Sequence, residues 1–201
     1  MTDLIKFKLF RADLSRQDLS RACLSGSVFN QCDFQSTDLT GADAYFVEAR
    51  RSTFNYARAE GSAWQHAILT QSSFAYAKLA QSVFTNAVAP QTNFEGADLS
   101  GADLRHANLS RANFSGANLT DADLRDADLS GADFRKADLR GARFDRAKLY
   151  GTDLRDAQLD PHALEGADVC AILAGRLSAL EVIPRDFDNL APNPDPDEEP
   201  F

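Results

Sequence analysis

From Gly96 to Leu159 the chain reads GADLS GADLR HANLS RANFS GANLT DADLR DADLS GADFR KADLR GARFD RAKLY GTDLR DAQL, with Leu or Phe at every fifth position from Leu99 to Leu159. Two residues before each stands Ala, broken only by Thr152, and the residue between is Asp or Asn in most units. Neither a helix, which returns every 3.6 residues, nor a strand, which returns every 2, has this period. Apolar groups spaced alternately two and three apart fit a chain that bends after each short extended segment. Such a unit turns one large and one small side chain inward and leaves three residues outside, which is the logic of a β-solenoid.

The A(D/N)LXX pattern resembles the pentapeptide-repeat family over nearly the whole chain. The resemblance implies an all-β fold, a right-handed quadrilateral β-helix with four units per coil. An independent period of twenty agrees with it. One column of core positions runs Leu14, Phe34, Phe54, Phe74, Phe94, Phe114, Phe134, Leu154; another runs Leu19, Leu39, Ala59, Leu79, Leu99, Leu119, Leu139, Leu159. The six Phe are expected to stack along one inner face.

Working outward, the register starts at Leu4 and holds its phase as far as Leu164 or Val169. This predicts a body over residues 1–165 with no protruding loop, and Ile5, Phe7 and Phe10 as a cap on its first coil. Between Ala44 and Pro90 the pattern degrades, with Ala at core positions 44, 49, 59 and 89 and Trp64 where Leu is usual. The core is expected to be locally distorted there, with Val47 compensating for Ala49 and Phe46 swinging in beside Ala44 through a bulge. The same stretch carries few charges and places Tyr45, Phe46, Tyr56 and Tyr76 at nominally outward positions, a candidate partner surface. Tyr56 and Tyr76, one coil apart in one column, should lie side by side. Pro90 needs only a turn.

From Asp168 the spacing becomes helical, with Val169, Ile172, Leu173, Leu177 and Leu180 on one stripe and Asp168 as its cap. A short C-terminal α-helix with a brief apolar strand at Val182 and Ile183 is expected over 166–184. It would either close the open end of the coil or pair with its copy. Family members that bind DNA gyrase dimerise through a similar helix and strand, so the resemblance implies a homodimer; the Gly usual before that apolar pair is replaced here by Glu181. Residues 185–201, ending NPDPDEEPF, are Pro-rich and acidic and are expected to be disordered.

Composition excludes several classes of function. Cys23, Cys32 and Cys170 are too few and scattered for a disulfide framework or a zinc site. His66 and His106 share a column but lie two coils apart, about 10 Å, too far to share a metal. No signal segment or membrane-length apolar run is evident, so a cytoplasmic protein without membrane contact is expected. No nucleophile set, phosphate loop or ligand spacing emerges, which predicts no catalytic residues, no cofactor and no metal. Asp before each core residue reads as a turn and hydrogen-bonding element.

The net charge is −9, but residues from 161 onward account for −7 and the body for −2. The side centred on Leu9, Phe29 and Ala49 is net +3 through Lys8, Arg11, Arg50, Arg51, Arg111 and Lys148, and the other three are mildly acidic. Direct nucleic-acid binding is therefore not expected. Two readings follow. One is a rigid scaffold for a protein partner. The other, implied by the resemblance, is mimicry of duplex DNA to occupy DNA gyrase or topoisomerase IV, with Asp123, Asp126, Asp133 and Asp138 as the acidic face. About eight coils at about 4.8 Å each give a rod of about 40 Å, and a duplex of that length carries roughly 24 phosphate charges.

Overall fold

Each five-residue unit must satisfy five backbone amides, and how it does so defines the architecture. The computed structural model describes residues 6–170 and residue 172. In the unit around Leu124, the Ala122 amide closes a turn on the Leu119 carbonyl at 3.1 Å, and the Asp123 amide donates to the Ala102 carbonyl at 2.9 Å. The Leu124 and Asp126 amides donate to the carbonyls of Arg143 at 2.8 Å and Asp145 at 3.0 Å. The remaining amide, on Arg125, donates to the unit's own Asp123 Oδ1 at 3.2 Å. Four amides thus find backbone carbonyls and the fifth finds the Asp side chain.

The carbonyls of Ala102, Arg143 and Asp145 lie about one coil away, and parallel bridges offset by twenty residues run from Asp13↔Asp33 to Lys148↔Asp168. Two longer strands, β1 (Lys8–Phe10) and β2 (Val28–Asn30), pair in parallel at the start. With a bend every five residues, each coil has four sides, named here for their first core residues: the Leu9, Leu14, Leu19 and Leu24 sides. The chain is an all-β solenoid.

The bends share one backbone conformation. Every fifth residue from Lys6 to Gly166 has φ near +60°, whether Gly, Arg, Gln, Tyr or Asp, with Pro161 as the exception. Proline's ring holds φ near −65°, so the left-handed turn moves to His162 at φ 62°. The Ala163 amide then bonds the Asp160 carbonyl at 3.2 Å instead of reaching across a coil. The Gly141 amide takes a carboxylate oxygen of Asp160 at 2.6 Å. The Arg146 amide consequently meets the Gly166 carbonyl at 2.8 Å, one residue beyond the usual offset of nineteen, and the phase is restored where the Leu149 amide reaches the Asp168 carbonyl at 2.7 Å and Lys148 bridges Asp168.

Inside, Phe34 to Phe134 form the expected stack, with successive ring centroids 4.5–5.3 Å apart and planes within 13° of parallel. Where Ser or Thr replaces the inward Ala, its hydroxyl donates to a core carbonyl: Thr92 to Leu69 at 2.9 Å, Ser82 to Leu79 at 2.6 Å. The inward position thus tolerates a hydroxyl because an acceptor lies beside it.

The expected distortion between Ala44 and Ala59 is absent. Bridges continue without interruption through Asp43↔Ala63, Glu48↔Ile68, Thr53↔Ser73 and Arg58↔Lys78. Val47 is buried as expected, but Phe46 points outward at 55% exposure and makes no bulge. Trp64 fills the interior instead, edge-on to Phe54 and Phe74 at 5.3 and 5.4 Å, with its Nε1 donating to Ser62 Oγ.

At the far end, Asp168 caps no helix within the described residues. It stays in the ladder opposite Lys148, and Val169 is buried in the core. The helix and strand expected through Leu173, Leu177, Leu180, Val182 and Ile183 lie outside the described residues, as do Leu4 and Ile5; Ile172 is partly buried against the core.

Candidate functional site

The outward aromatic side chains between residues 45 and 76 fall into two groups. Tyr45 and Phe46 meet edge to face at 4.4 Å, and His66, one coil on, stacks on Phe46 at 4.9 Å and approaches Tyr45 at 5.5 Å. Tyr56 and Tyr76 stack at 5.4 Å with planes 10° apart, as their shared column requires. The Tyr76 hydroxyl donates to Glu95 Oε1 at 3.2 Å, and the Glu95 charge raises the phenol's pKa above its ordinary value. The Tyr76 ring also covers Gly96, where an added Cβ would come within 2.5 Å of it.

Four bends make one coil, so bends ten residues apart are diagonally opposite. Phe46 and Tyr56 occupy such a pair, which puts the two aromatic groups on opposite edges of the rod. The structure thus divides the four candidate contact residues into two surfaces. Tyr45 and Phe46 are 41% and 55% exposed, and Val88, on the adjoining Leu9 side, is 41% exposed.

One neighbour in the larger ring cluster and one exposed apolar residue on the adjoining side were missed by sequence reasoning. His66 was weighed only as a metal ligand, although its place one coil from Phe46 marked it as a ring neighbour. Val88 stands at the position that usually holds Asp or Asn, and that substitution was the available signal.

The four candidate acidic residues are not brought together either. Asp123, Asp133 and Asp138 sit in three separate ladders, opposite Asp103, Asn113 and Asn118. Each is gripped by the arginine two residues on: Asp123 by Arg125 at 2.6 Å, Asp133 by Arg135 at 2.6 Å, Asp138 by Arg140 at 2.5 Å. Asp126, at a bend, takes Arg146 from the next coil through two contacts of 2.7 Å. Hydrogen bonds from these arginines hold Asp123, Asp126 and Asp138 below the ordinary carboxylate range. For Asp133 burial opposes the shift, and Arg135 still keeps the pKa low. Pairs also join along the rod, since Arg105 lies 3.8 Å from Asp123 and Arg135 lies 3.7 Å from Asp153. The later coils therefore carry a charge-compensated lattice and not an open acidic surface.

Among the described residues no group of His, Cys, Asp and Glu is arranged to hold a metal, and no helix is long and apolar enough to cross a membrane. His106 lies 3.9 Å from Asp126, and His162 Nδ1 contacts Glu165 at 2.8 Å.

The model for pentapeptide repeats matches residues 8–45, 77–116, 91–126 and 117–156. No curated protein sequence matches the chain significantly. Among solved structures, a trypsin-treated form of QnrB1, a plasmid-mediated fluoroquinolone resistance protein, is similar at 20% identity with a TM-score of 0.65, covering 88% of this chain and 84% of its own. HetL from the cyanobacterium Nostoc sp. strain PCC 7120, described as involved in heterocyst differentiation regulation, is 26% identical with a TM-score of 0.36, covering 85% and 86% respectively.

Proposed function

We propose that this chain, which belongs to the pentapeptide-repeat family, acts without catalysis as a rigid rod that binds a protein partner. The observation that carries this is the exposed ring cluster of Tyr45, Phe46 and His66, set on a backbone whose bridges run unbroken beneath it. Large aromatic groups held rigidly lose little entropy on contact and supply most of the energy at protein interfaces. The test is affinity capture with the wild type and with Phe46→Asp, which leaves the core untouched. Specific partners should be captured by the wild type and lost by the variant. Identical captured sets from the two would sink the assignment.

The second reading is mimicry of duplex DNA toward DNA gyrase, in keeping with the resistance role named for QnrB1. The arginine pairing of Asp123, Asp126, Asp133 and Asp138 favours the first reading. Titrating the protein into a gyrase supercoiling reaction separates them: inhibition supports mimicry, and full activity at large molar excess removes it. The homodimer reading rests on the apolar stripe from Ile172 to Leu180 and is settled by sedimentation, with Leu177→Asp as the disrupting variant.

A further inference from the structure

We infer that the Leu9 side of the rod, from Lys8 to Arg111, docks an acidic segment of a protein partner that carries apolar side chains beside its carboxylates. This rests on the protein-binding reading above and names the chemistry of the partner. The positive charge of that side is concentrated toward its start. As far as Arg111 it carries Lys8, Arg11, Arg50, Arg51 and Arg111 against Glu48 alone, whereas Asp128 and Asp168 flank Lys148 beyond. The carboxylate of Glu48 is engaged by Arg50 and by Asn30. Among the described residues Lys8, Arg11, Arg51 and Arg111 meet no carboxylate, in contrast to Arg125, Arg135, Arg140 and Arg155 of the later coils. Phe10, Asn30, Arg50, Arg51, Thr70 and Gln71 line an open groove of about 290 Å³ on this side.

Two successive bends bound this side and give it unlike margins. Phe46 and His66 stand on one bend, and Arg11, Gln31, Arg51, Gln71 and Gln91 stand on the other. Side-chain bonds order the second margin: Arg11 Nε donates to Gln31 Oε1 at 2.9 Å, Arg51 Nε to Gln71 Oε1 at 2.9 Å, and Gln71 Nε2 to Gln91 Oε1 at 2.8 Å. Each arginine bond uses one of the five donors of a guanidinium and leaves the others for a ligand. Between the margins Val28, Ile68 and Val88 share one ladder with Glu48, at the position that usually holds Asp or Asn. Phe10 is 61% exposed, with the Arg11 guanidinium 4.9 Å from its ring centroid. Cations and apolar groups thus lie side by side along one face. Exposed ion pairs alone contribute little, so the apolar contacts supply affinity while the arginines select carboxylates and set the register of the partner.

A nucleic-acid strand matches this face less well. Arg11 and Arg51 are two coils apart, about 10 Å, and Arg111 is about 14 Å further on, whereas phosphates recur about every 3.4 Å along a strand. One face of the Phe46 ring is taken by His66, and the Phe10 ring carries the Arg11 guanidinium, so neither ring is a clear platform for a stacked base.

The test titrates the full chain with a short synthetic peptide rich in Glu and interspersed with Leu and Phe, and follows backbone amide shifts. Saturable shifts should appear at Val28, Gln31, Arg51, Ile68, Gln71 and Val88 and be absent at Lys78, Asp98 and Asn118 on the opposite, Leu19 side. Arg11→Glu/Arg51→Glu should weaken binding at least about tenfold, and so should Gln in place of every Glu of the peptide. The second comparison does not depend on how the substitutions affect the fold. Arg16→Glu/Lys78→Glu, an equal change of charge away from the Leu9 side, should leave the affinity within about twofold, because screening confines such effects to about 10 Å. No saturable shift, equal affinity for the Gln peptide, or equal weakening by the two charge reversals overturns the proposal. So does tighter binding of an oligothymidylate at the same amides, which makes this side a nucleic-acid surface. Affinity capture separates this inference from the reading beneath it. Partners lost with Phe46→Asp but retained with Arg11→Glu/Arg51→Glu overturn the acidic segment and leave protein binding standing, whereas identical sets from the wild type and both variants remove both.

Discussion

In the regular units outside β1 and β2 no backbone carbonyl accepts from the amide that follows the core residue, whereas Glu165, in the displaced turn after Pro161, differs and bonds the His162 carbonyl at 3.0 Å. The missing acceptor explains the Asp and Asn of the repeat at the scale of one residue. Their Oδ1 accepts from that amide in the Asp18–Ser20, Asn118–Thr120 and Asp128–Ser130 pairs at 3.0–3.1 Å. Charge is incidental to this task, so Asp and Asn alternate freely at the position. Where neither is present a neighbouring coil can substitute, as when Asn30 Oδ1 accepts from the Arg50 amide at 2.8 Å. Asp128 is the clean place to measure the contribution, because among the described residues no arginine pairs with it. Asp128→Ala should cost about 0.5–1.5 kcal/mol, the usual net worth of such a bond. Asp128→Asn keeps the acceptor and should cost much less in the same denaturant titration. Equal losses would show that the carboxylate charge, and not the hydrogen bond, is what matters.

At the scale of the coil, backbone pairing fixes the shape and the core fills it afterwards. This is why the irregular sequence from Ala44 to Pro90 still forms regular coils: its bends and bridges repeat those of Gly96–Leu159, while Trp64 and Val47 occupy volume that Leu fills elsewhere. The five- and twenty-residue periods made the all-β solenoid and its Phe stack legible in the sequence. Core composition misled, because small side chains at Ala44 and Ala49 suggested a deformation that the ladder does not permit. The left-handed conformation of the bends was not legible, since Arg, Gln, Tyr and Asp give no local sign of it; Pro161 reveals the requirement only by breaking it. For the aromatic site, the sequence named the residues, and counting bends would have separated Tyr45 and Phe46 from Tyr56 and Tyr76. Phe94, stacked between Phe74 at 5.3 Å and Phe114 at 5.0 Å and fully buried, tests the core directly. Phe94→Ala should cost about 3–5 kcal/mol through lost transfer energy and the cavity left behind. A loss below about 1 kcal/mol in equilibrium unfolding would mean that the stack adds little to what the ladder already provides.

Across the whole molecule the two halves of the rod differ in surface. The earlier coils expose rings and aliphatic groups, while the later ones carry Asp–Arg pairs on several sides. These pairs make the later half sensitive to acid. Arginine hydrogen bonds hold Asp103, Asp123, Asp138 and Asp153 below the ordinary carboxylate pKa, which is about 3.9 in an unfolded chain. A carboxyl whose folded pKa is depressed stabilises the fold fully above that unfolded value. The contribution falls away as pH drops through the folded value, because the unfolded chain then binds more protons than the folded one. Melting temperature should accordingly be flat with respect to these groups from pH 7 to about pH 5 and decline below about pH 4. Replacing Asp103, Asp123, Asp138 and Asp153 together by Asn preserves their amide-accepting oxygens but removes the titration. The variant should melt lower than the wild type at pH 7 and lose less on acidification. Since each pair is partly exposed, solvent screening keeps the individual contributions small, and the same gap at pH 7 should shrink in molar salt. A melting curve whose acid limb is identical in the two proteins would assign the acid sensitivity to other carboxyl groups and leave the Asp–Arg lattice without a role in stability.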